Sequence, residues 1–193
     1  MRRRSPRPEG STPPAPARSE GKGRSGAASR GGALRSKAKS IANRVSVCTR
    51  GGPFPDVSTA TVKRRAAKML ASLELTGAEL SIALVDDAAI HALNRDYRGK
   101  DKPTDVLAFA MEEGEQVPGG RTSRVLGDVI VSIDTAAKQA RKRRRPLLDE
   151  VTMLLAHGLL HLLGYDHQDD EEEREMVAKT RELEQVAARR ASA

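Results

Sequence analysis

Apolar residues recur with regular spacing only after about residue 43. Over 44–49 they alternate with polar residues, because Val45 and Val47 fall on one side and Ser46 and Cys48 on the other, which predicts a β-strand. Three further segments have the character of strands: 79–85, 106–111 and 125–132. Segments with a period of three to four residues predict helices over 58–73, 88–96, from 134 until Pro146 stops it, 147–163 and about 169–188.

The resulting order of elements, β, α, β, α, β, β, α, α, α, predicts an α+β fold with a mixed four-stranded sheet packed with about five helices. The segment 147–163 is the most apolar of the helices and should be buried on most sides. Asp86 and Asp87 are expected to cap the helix that follows them. At 193 residues, the chain accommodates one well-cored domain, over 44–190, preceded by a tail.

The segment 1–43 differs in composition from everything after it. It holds five of the ten prolines and six of the sixteen glycines and almost no large aliphatic residues, so it cannot bury enough apolar surface to offset its ordering entropy. We therefore expect a disordered basic tail. Its net charge is +9, whereas the rest of the chain carries −1, so the total of +8 belongs to the tail. It could attract RNA without specificity, could be a solvated extension with no specific role, or could reflect a start codon placed too far upstream.

The single cysteine, Cys48, excludes an internal disulfide and a cysteine-based zinc cluster. A reducing compartment fits this composition. The first 30 residues contain no apolar run of the length that a signal peptide needs, and no apolar stretch approaches a membrane span. We expect a soluble cytoplasmic protein without a membrane partner.

Three of the four histidines fall within eleven residues. His157 and His161 are four apart on the apolar helix, which places both rings on one face, about one turn apart. A continuous helix would carry His167 roughly 15 Å along the axis from His157, whereas the ligands of a zinc ion lie about 2.1 Å from it. The helix must therefore end between them, and Gly164 is placed to end it.

Three neutral imidazoles would leave one position of a tetrahedral zinc ion open for water, as in catalytic sites, and would lower the pKa of that water toward about 7. We predict a site for one zinc ion at His157, His161 and His167. For any single histidine on an apolar helix, the alternative is a hydrogen-bonded core residue, and His91, which has no partner nearby in the sequence, is interpreted as an ordinary helix residue.

The same spacing matches the metzincin protease pattern H-E-x-x-H-x-x-G-x-x-H at every position except Gly158. A peptidase of that type needs glutamate there as its general base. Met176 lies in a charged helical segment and is interpreted as a packing residue rather than as a protease-like methionine turn. A zinc peptidase is therefore a minor alternative.

The segment 157–167, HGLLHLLGYDH, resembles the signature of the YbeY family of metal-dependent endoribonucleases, which act in ribosomal RNA maturation. LNRDYRGKDKPTDVLAFA over 93–110 and LGDVIVS over 126–132 are similar to two more family segments, so the resemblance covers roughly 43–185. Ala108 and Ala110 depart from it, since the family usually has serine and proline there. The resemblance implies that the three histidines bind the metal, that Arg98 is the functional arginine, and that the partners are a ribosomal RNA precursor and, with it, ribosomal subunits or proteins.

Arg98 also suits this chemistry on physical grounds. A phosphodiester under attack gains negative charge, and a guanidinium can bind two of its oxygens at once. The hypothesis is attack by zinc-activated water, with His157 and Arg98 as catalytic residues. Sequence alone would favour a surface arginine in a turn at position 98.

Other residues are assigned with open alternatives. Asp166 could orient a zinc ligand or could simply form a turn. A basic run would attract RNA or would form a solvated helix end; it consists of Lys138, Arg141, Lys142, Arg143, Arg144 and Arg145. A ribosome-assembly factor with a structural metal is the remaining alternative to an enzyme.

Overall fold

The structure, a computed structural model of the chain, describes residues 41–111, 124–165 and 169–189. Nine elements follow one another in the predicted order: β1 Arg44–Arg50, α1 Thr59–Ser72, β2 Ala78–Val85, α2 Asp87–Arg98, β3 Val106–Ala110, β4 Arg124–Ser132, α3 Ile133–Arg143, α4 Leu147–Leu162 and α5 Asp170–Ala188. The predicted α+β class is therefore confirmed. Nearly all of the predicted tail lies outside the described residues, so its disorder stays a prediction.

The four strands form one mixed sheet in the order β1-β2-β4-β3. β1 and β2 are parallel, as are β2 and β4, and Ile82 lies opposite Val129. β3 runs antiparallel to β4, with Ala108 opposite the same valine. Among the described strands β3 pairs only with β4, so it forms one edge of the sheet.

The alternation of side chains along the strands separates two apolar clusters. Leu80, Ile82 and Leu84 of β2 enter the main core together with α1, α4 and α5. On the other face, Val85 and Leu107 pack with Ile90 of α2. The sheet therefore lies between α4 and α2, and both helices reach the β3 edge.

Helix α4 is buried along most of its length, as its composition predicts. It begins directly after Pro146, whose fixed φ suits this position. No helix in the described ranges has both the length and the apolar character that crossing a membrane requires.

The acidic pair before α2 has two different roles. The Asp86 carboxylate accepts a hydrogen bond from the Ala89 N–H at 2.8 Å and caps the helix, as predicted. The prediction that Asp87 is also a cap is wrong, because its carboxylate instead accepts hydrogen bonds from the Ser132 and Thr135 hydroxyls at 2.5 and 2.7 Å. It thereby joins α2 to the end of β4 and the start of α3.

Candidate functional site

A cleft of about 640 Å³ lies along the β3 edge of the sheet. Asn94 and Arg98 of α2 line one side, and His157 and His161 of α4 line the other. Residues of β3 and of the loop 99–105 complete its lining. The residues with the strongest predicted chemistry, except those outside the described ranges, therefore share one concave surface.

The two histidines are the main polar side chains in an otherwise apolar stretch of α4. Both are half-buried, while their neighbours Leu159 and Leu160 are fully buried in the main core. The ring centroids of His157 and His161 are 4.8 Å apart, with the ring planes at 88°. The spacing of four residues thus turns both imidazoles toward the cleft, close enough to bind one ion together.

Helix α4 ends before the third histidine. Its last residue is Leu162, and Gly164 adopts a left-handed φ of +86°. The Tyr165 N–H then donates to the Leu160 carbonyl at 3.1 Å, which satisfies a helix-terminal acceptor. The predicted helix end is confirmed.

His167 and Asp166 both lie outside the residues that the structure describes. Their predicted roles as third ligand and orienting carboxylate therefore stay predictions. Within the described ranges, no three side chains of histidine, cysteine, aspartate or glutamate are grouped so that they could hold a metal ion. A complete three-ligand site would need a donor from beyond those ranges.

Gly158 has a packing role that its sequence position did not reveal. A Cβ atom at this position would lie 2.7 Å from Cγ1 of Val129 and 3.2 Å from Cγ2 of Val106. Helix α4 therefore approaches the sheet more closely than a side chain permits. A glutamate base of the metzincin type would have to displace the helix, which adds a steric argument against the peptidase alternative.

Arg98 is the last residue of α2 and is exposed at the mouth of the cleft. Gly99 follows with a left-handed φ of +65°, so the chain leaves the helix here. The Nη2 atom of Arg98 donates to the Ala108 carbonyl at 3.2 Å, which anchors the guanidinium against β3. A guanidinium has five N–H donors, so this one bond leaves others for an anion in the cleft.

Several side chains hold the loop 99–105 in place, and apart from His91 sequence reasoning did not single them out. Asn94 is only 3% exposed, and its amide donates to the Lys102 carbonyl at 2.7 Å. The Asp105 carboxylate accepts from Gln139 at 2.9 Å. A ring nitrogen of His91 lies 2.8 Å from the Asp101 carboxylate, away from the cleft lining. The sequence held one signal for Asn94: it follows Ile90 by one helical turn and therefore falls on the buried face of α2, where a polar side chain needs a hydrogen-bond partner.

The basic run 138–145 divides into two groups. Arg143 and Arg145 both pair with Glu150, which is fully buried, and Arg145 also binds Glu184. Burial raises the pKa of the Glu150 carboxyl, while attraction to the two arginines opposes that rise. Arg141, Lys142 and Arg144 are exposed, and within the described part of the chain their side chains make no ion pair.

Lys138 belongs to the paired group. Its ammonium lies 2.7 Å from the Asp87 carboxylate. Burial would raise the pKa of Asp87, but hydrogen bonds from Lys138, Ser132 and Thr135 outweigh it and lower the pKa to about 2. Lys138 therefore serves the fold in addition to any contact with RNA, which stays a prediction for the whole run.

Comparison with known proteins adds a family. Residues 55–187 match the family model described as Endoribonuclease YbeY. A protein of that name from Pelotomaculum thermopropionicum is 50% identical over 121 residues, covering 62% of this chain and 80% of the relative. One from Syntrophotalea carbinolica is 47% identical over 129 residues, covering 66% and 85%. A Thermotoga maritima protein solved in solution is similar in structure, with a TM-score of 0.51, 26% identity, and coverage of 75% of this chain and 88% of that chain.

Proposed function

Because the chain belongs to the YbeY family of endoribonucleases, we propose that it cleaves RNA phosphodiester bonds in the maturation of ribosomal RNA. The observation that carries the proposal is that His157, His161 and Arg98 line one cleft, although they come from different helices. Metal-ligating nitrogens opposite a guanidinium suit a substrate whose reacting group is an anion.

We propose that the cleft holds one zinc ion, bound by His157, His161 and His167. The paired imidazoles of α4 support this, since two nitrogen donors at adjacent turns of one helix fit a tetrahedral zinc site. Their half-buried position in the lining of a cleft also fits, because a catalytic site must admit substrate. Zinc bound in this way would supply an acidified water as nucleophile near neutral pH.

The protein itself would orient the substrate. Arg98, anchored by its hydrogen bond to the Ala108 carbonyl, would bind non-bridging oxygens of the scissile phosphate and stabilise the charge that develops on them. Gly99, with its left-handed backbone, and the buried Asn94 would keep that guanidinium in place by fixing the loop that follows α2.

Positive charge at the cleft and at the end of α3 would attract the RNA backbone. Lys100 lines the cleft, and Arg141, Lys142 and Arg144 are exposed at the end of α3. The proposed substrate is a ribosomal RNA precursor, with ribosomal subunits or proteins as further partners. A cytoplasmic location belongs to the same proposal and is consistent with the free thiol of Cys48.

The test is an RNA-cleavage assay on chelated protein, zinc-restored protein and zinc-loaded His157→Ala protein side by side. Cleavage should disappear with the chelator, return with zinc and be lost in the variant. Cleavage that persists in chelated protein would contradict the metal-dependent mechanism. Binding of RNA without any cleavage would favour an assembly factor, and hydrolysis of an unfolded polypeptide would revive the peptidase alternative.

A further inference from the structure

The most exposed large apolar side chain in the described ranges lies beside the cleft. Tyr97 is 68% exposed, and it directly precedes Arg98 in the last turn of α2. Its ring meets that of Phe109 at a centroid distance of 5.2 Å and an interplanar angle of 70°. Single exposed apolar residues are common on protein surfaces, so the position and environment of this one carry the argument.

The contact with Phe109 holds the Tyr97 ring at the edge of the sheet. Phe109 is half-buried and packs with the apolar cluster on the α2 side. Its neighbours in β3, Ala108 and Ala110, both line the cleft. The aromatic pair therefore flanks the cleft across the β3 edge, on the opposite face of the sheet from α4.

The geometry of the pair leaves a flat surface open. In an edge-to-face contact one ring meets the other with its rim, so at most one face of Tyr97 is covered. With 68% of the residue exposed, the other face is open to solvent. Because a tyrosine has only two side-chain torsions and this one is supported by Phe109, little conformational entropy would be lost when a flat ligand stacks on it.

The charges around Tyr97 indicate the ligand. Arg98 is adjacent in sequence, and Lys100 and Lys102 are exposed in the loop that follows. An open aromatic face with three cations close to it in the sequence matches the chemistry of a single-stranded nucleic acid, whose bases stack on rings while its phosphates bind cations. Two acids in the same stretch each pair with a basic side chain. A purely apolar protein partner would gain nothing from those charges.

We propose that Tyr97, supported by Phe109, is a stacking site for one base of single-stranded RNA, next to the nucleotide whose phosphate binds Arg98. The inference rests on the proposed function and deepens it by assigning a base-binding subsite beside the cleft, next to Arg98 at its lining. Since every base has a flat face, the site would select unpaired RNA rather than a particular sequence.

The test measures binding of two labelled six-nucleotide probes by fluorescence anisotropy. One probe is a 2′-O-methyl oligoadenylate, and the other has the same backbone without bases; a gel of each sample verifies that the probes stay intact. Tyr97→Ala should weaken binding of the first probe about 5- to 100-fold and leave binding of the abasic probe unchanged. Tyr97→Phe, which keeps the ring, should bind both as the native protein does. Val177→Ala, a matched truncation of an exposed apolar side chain on α5, should also bind both normally.

A second measurement leaves Tyr97 intact. The chain has two tyrosines and no tryptophan, so in a Tyr165→Phe protein all tyrosine fluorescence comes from Tyr97. Binding of the oligoadenylate should quench it, and binding of the abasic probe should not. The inference is overturned if bound oligoadenylate leaves the fluorescence unchanged, or if Tyr97→Ala affects both probes equally or neither. If the native protein binds neither probe, the proposed function fails as well.

Discussion

Helix α4 carries two groups of ionisable side chains that differ in how the protein treats them. Near its start, Glu150 is fully buried and is neutralised by Arg143 and Arg145 from the chain itself. Two turns later, His157 and His161 are half-buried and line a cleft. The first group is enclosed by the fold, whereas the second forms part of the lining of a cleft.

This difference separates structural charges from functional ones. A buried charge is tolerated only when partners within the protein compensate for its lost hydration. Polar groups that converge on a cleft are instead available to ions and substrates. The account therefore predicts that changes at the cleft reduce activity at nearly constant stability, and that changes around Glu150 do the opposite.

Among changes that leave the proposed metal ligands intact, the largest expected effect is at Arg98. Arg98→Ala should lower the rate of RNA cleavage about 100- to 1000-fold, because one donor to developing charge is typically worth that much. Zinc content and the free energy of unfolding should hardly change. Arg95→Ala is the matched control, since Arg95 lies one turn earlier on α2 and pairs with Asp96 outside the cleft lining. Equal losses in the two variants would show that only general positive charge matters.

The next effect concerns stability at the Glu150 cluster. Arg145→Met should lower the free energy of unfolding by roughly 3 kcal/mol at neutral pH, because it leaves a buried carboxylate with less compensation. Arg141→Met, an exposed control in the same basic run, should change it by less than about 0.5 kcal/mol. Denaturant unfolding measures both values, and equal values would show that Glu150 does not depend on its arginine partners.

The loss of stability in Arg145→Met should depend on pH, and the direction of that dependence can be predicted. Because burial raises the pKa of Glu150, the folded protein holds this proton more tightly than the unfolded chain does. The contribution of Glu150 to the free energy of unfolding is therefore complete below the pKa of the unfolded chain, 4.5, where the carboxyl is protonated. It is lost as the pH rises from there through the higher pKa of the folded protein. The Arg145→Met defect should accordingly be smaller at mildly acidic pH than at neutral pH.

A smaller effect is expected at Asp87. Folding lowers the pKa of this carboxyl from 3.8 to about 2. Its contribution to the free energy of unfolding is therefore complete above the unfolded pKa and is lost as the pH falls through the folded pKa. Between about pH 5 and pH 2, the native protein should therefore lose up to about 2 kcal/mol more than Asp87→Asn does. Parallel acid-unfolding curves for the two proteins would contradict the role of this carboxylate.

The smallest effect is at the end of α3. Arg144 adopts a left-handed φ of +53°, which is unfavourable for any residue with a Cβ atom. Arg144→Gly should raise the free energy of unfolding by about 1 kcal/mol, whereas Arg144→Ala should not. If Arg144 contacts RNA, both variants should weaken RNA binding equally; if binding is unchanged in both, this arginine is not part of the RNA surface.

The sequence patterns predicted the local features well and the distant contacts poorly. The helical spacing of His157 and His161, and the helix end at Gly164, follow from residues within a few turns of one another. That Gly158 packs against Val129 could not be predicted, because the close approach of α4 to the sheet depends on a strand far away in sequence. For the same reason, Asp87 looked like a second cap rather than a partner of Ser132 and Lys138. Arg98 was assigned through family resemblance and phosphate chemistry, and its place opposite the histidines emerged only from the fold.

The most direct test of the central claim compares zinc content and RNA cleavage in His161→Ala, Arg98→Ala and His91→Ala proteins. His161→Ala should lose both zinc and cleavage, whereas Arg98→Ala should retain zinc and lose cleavage. His91→Ala, which alters a histidine outside the cleft lining, should retain both. A His161→Ala protein that keeps its zinc and still cleaves RNA would contradict the claim that the α4 histidines form the metal centre of the enzyme.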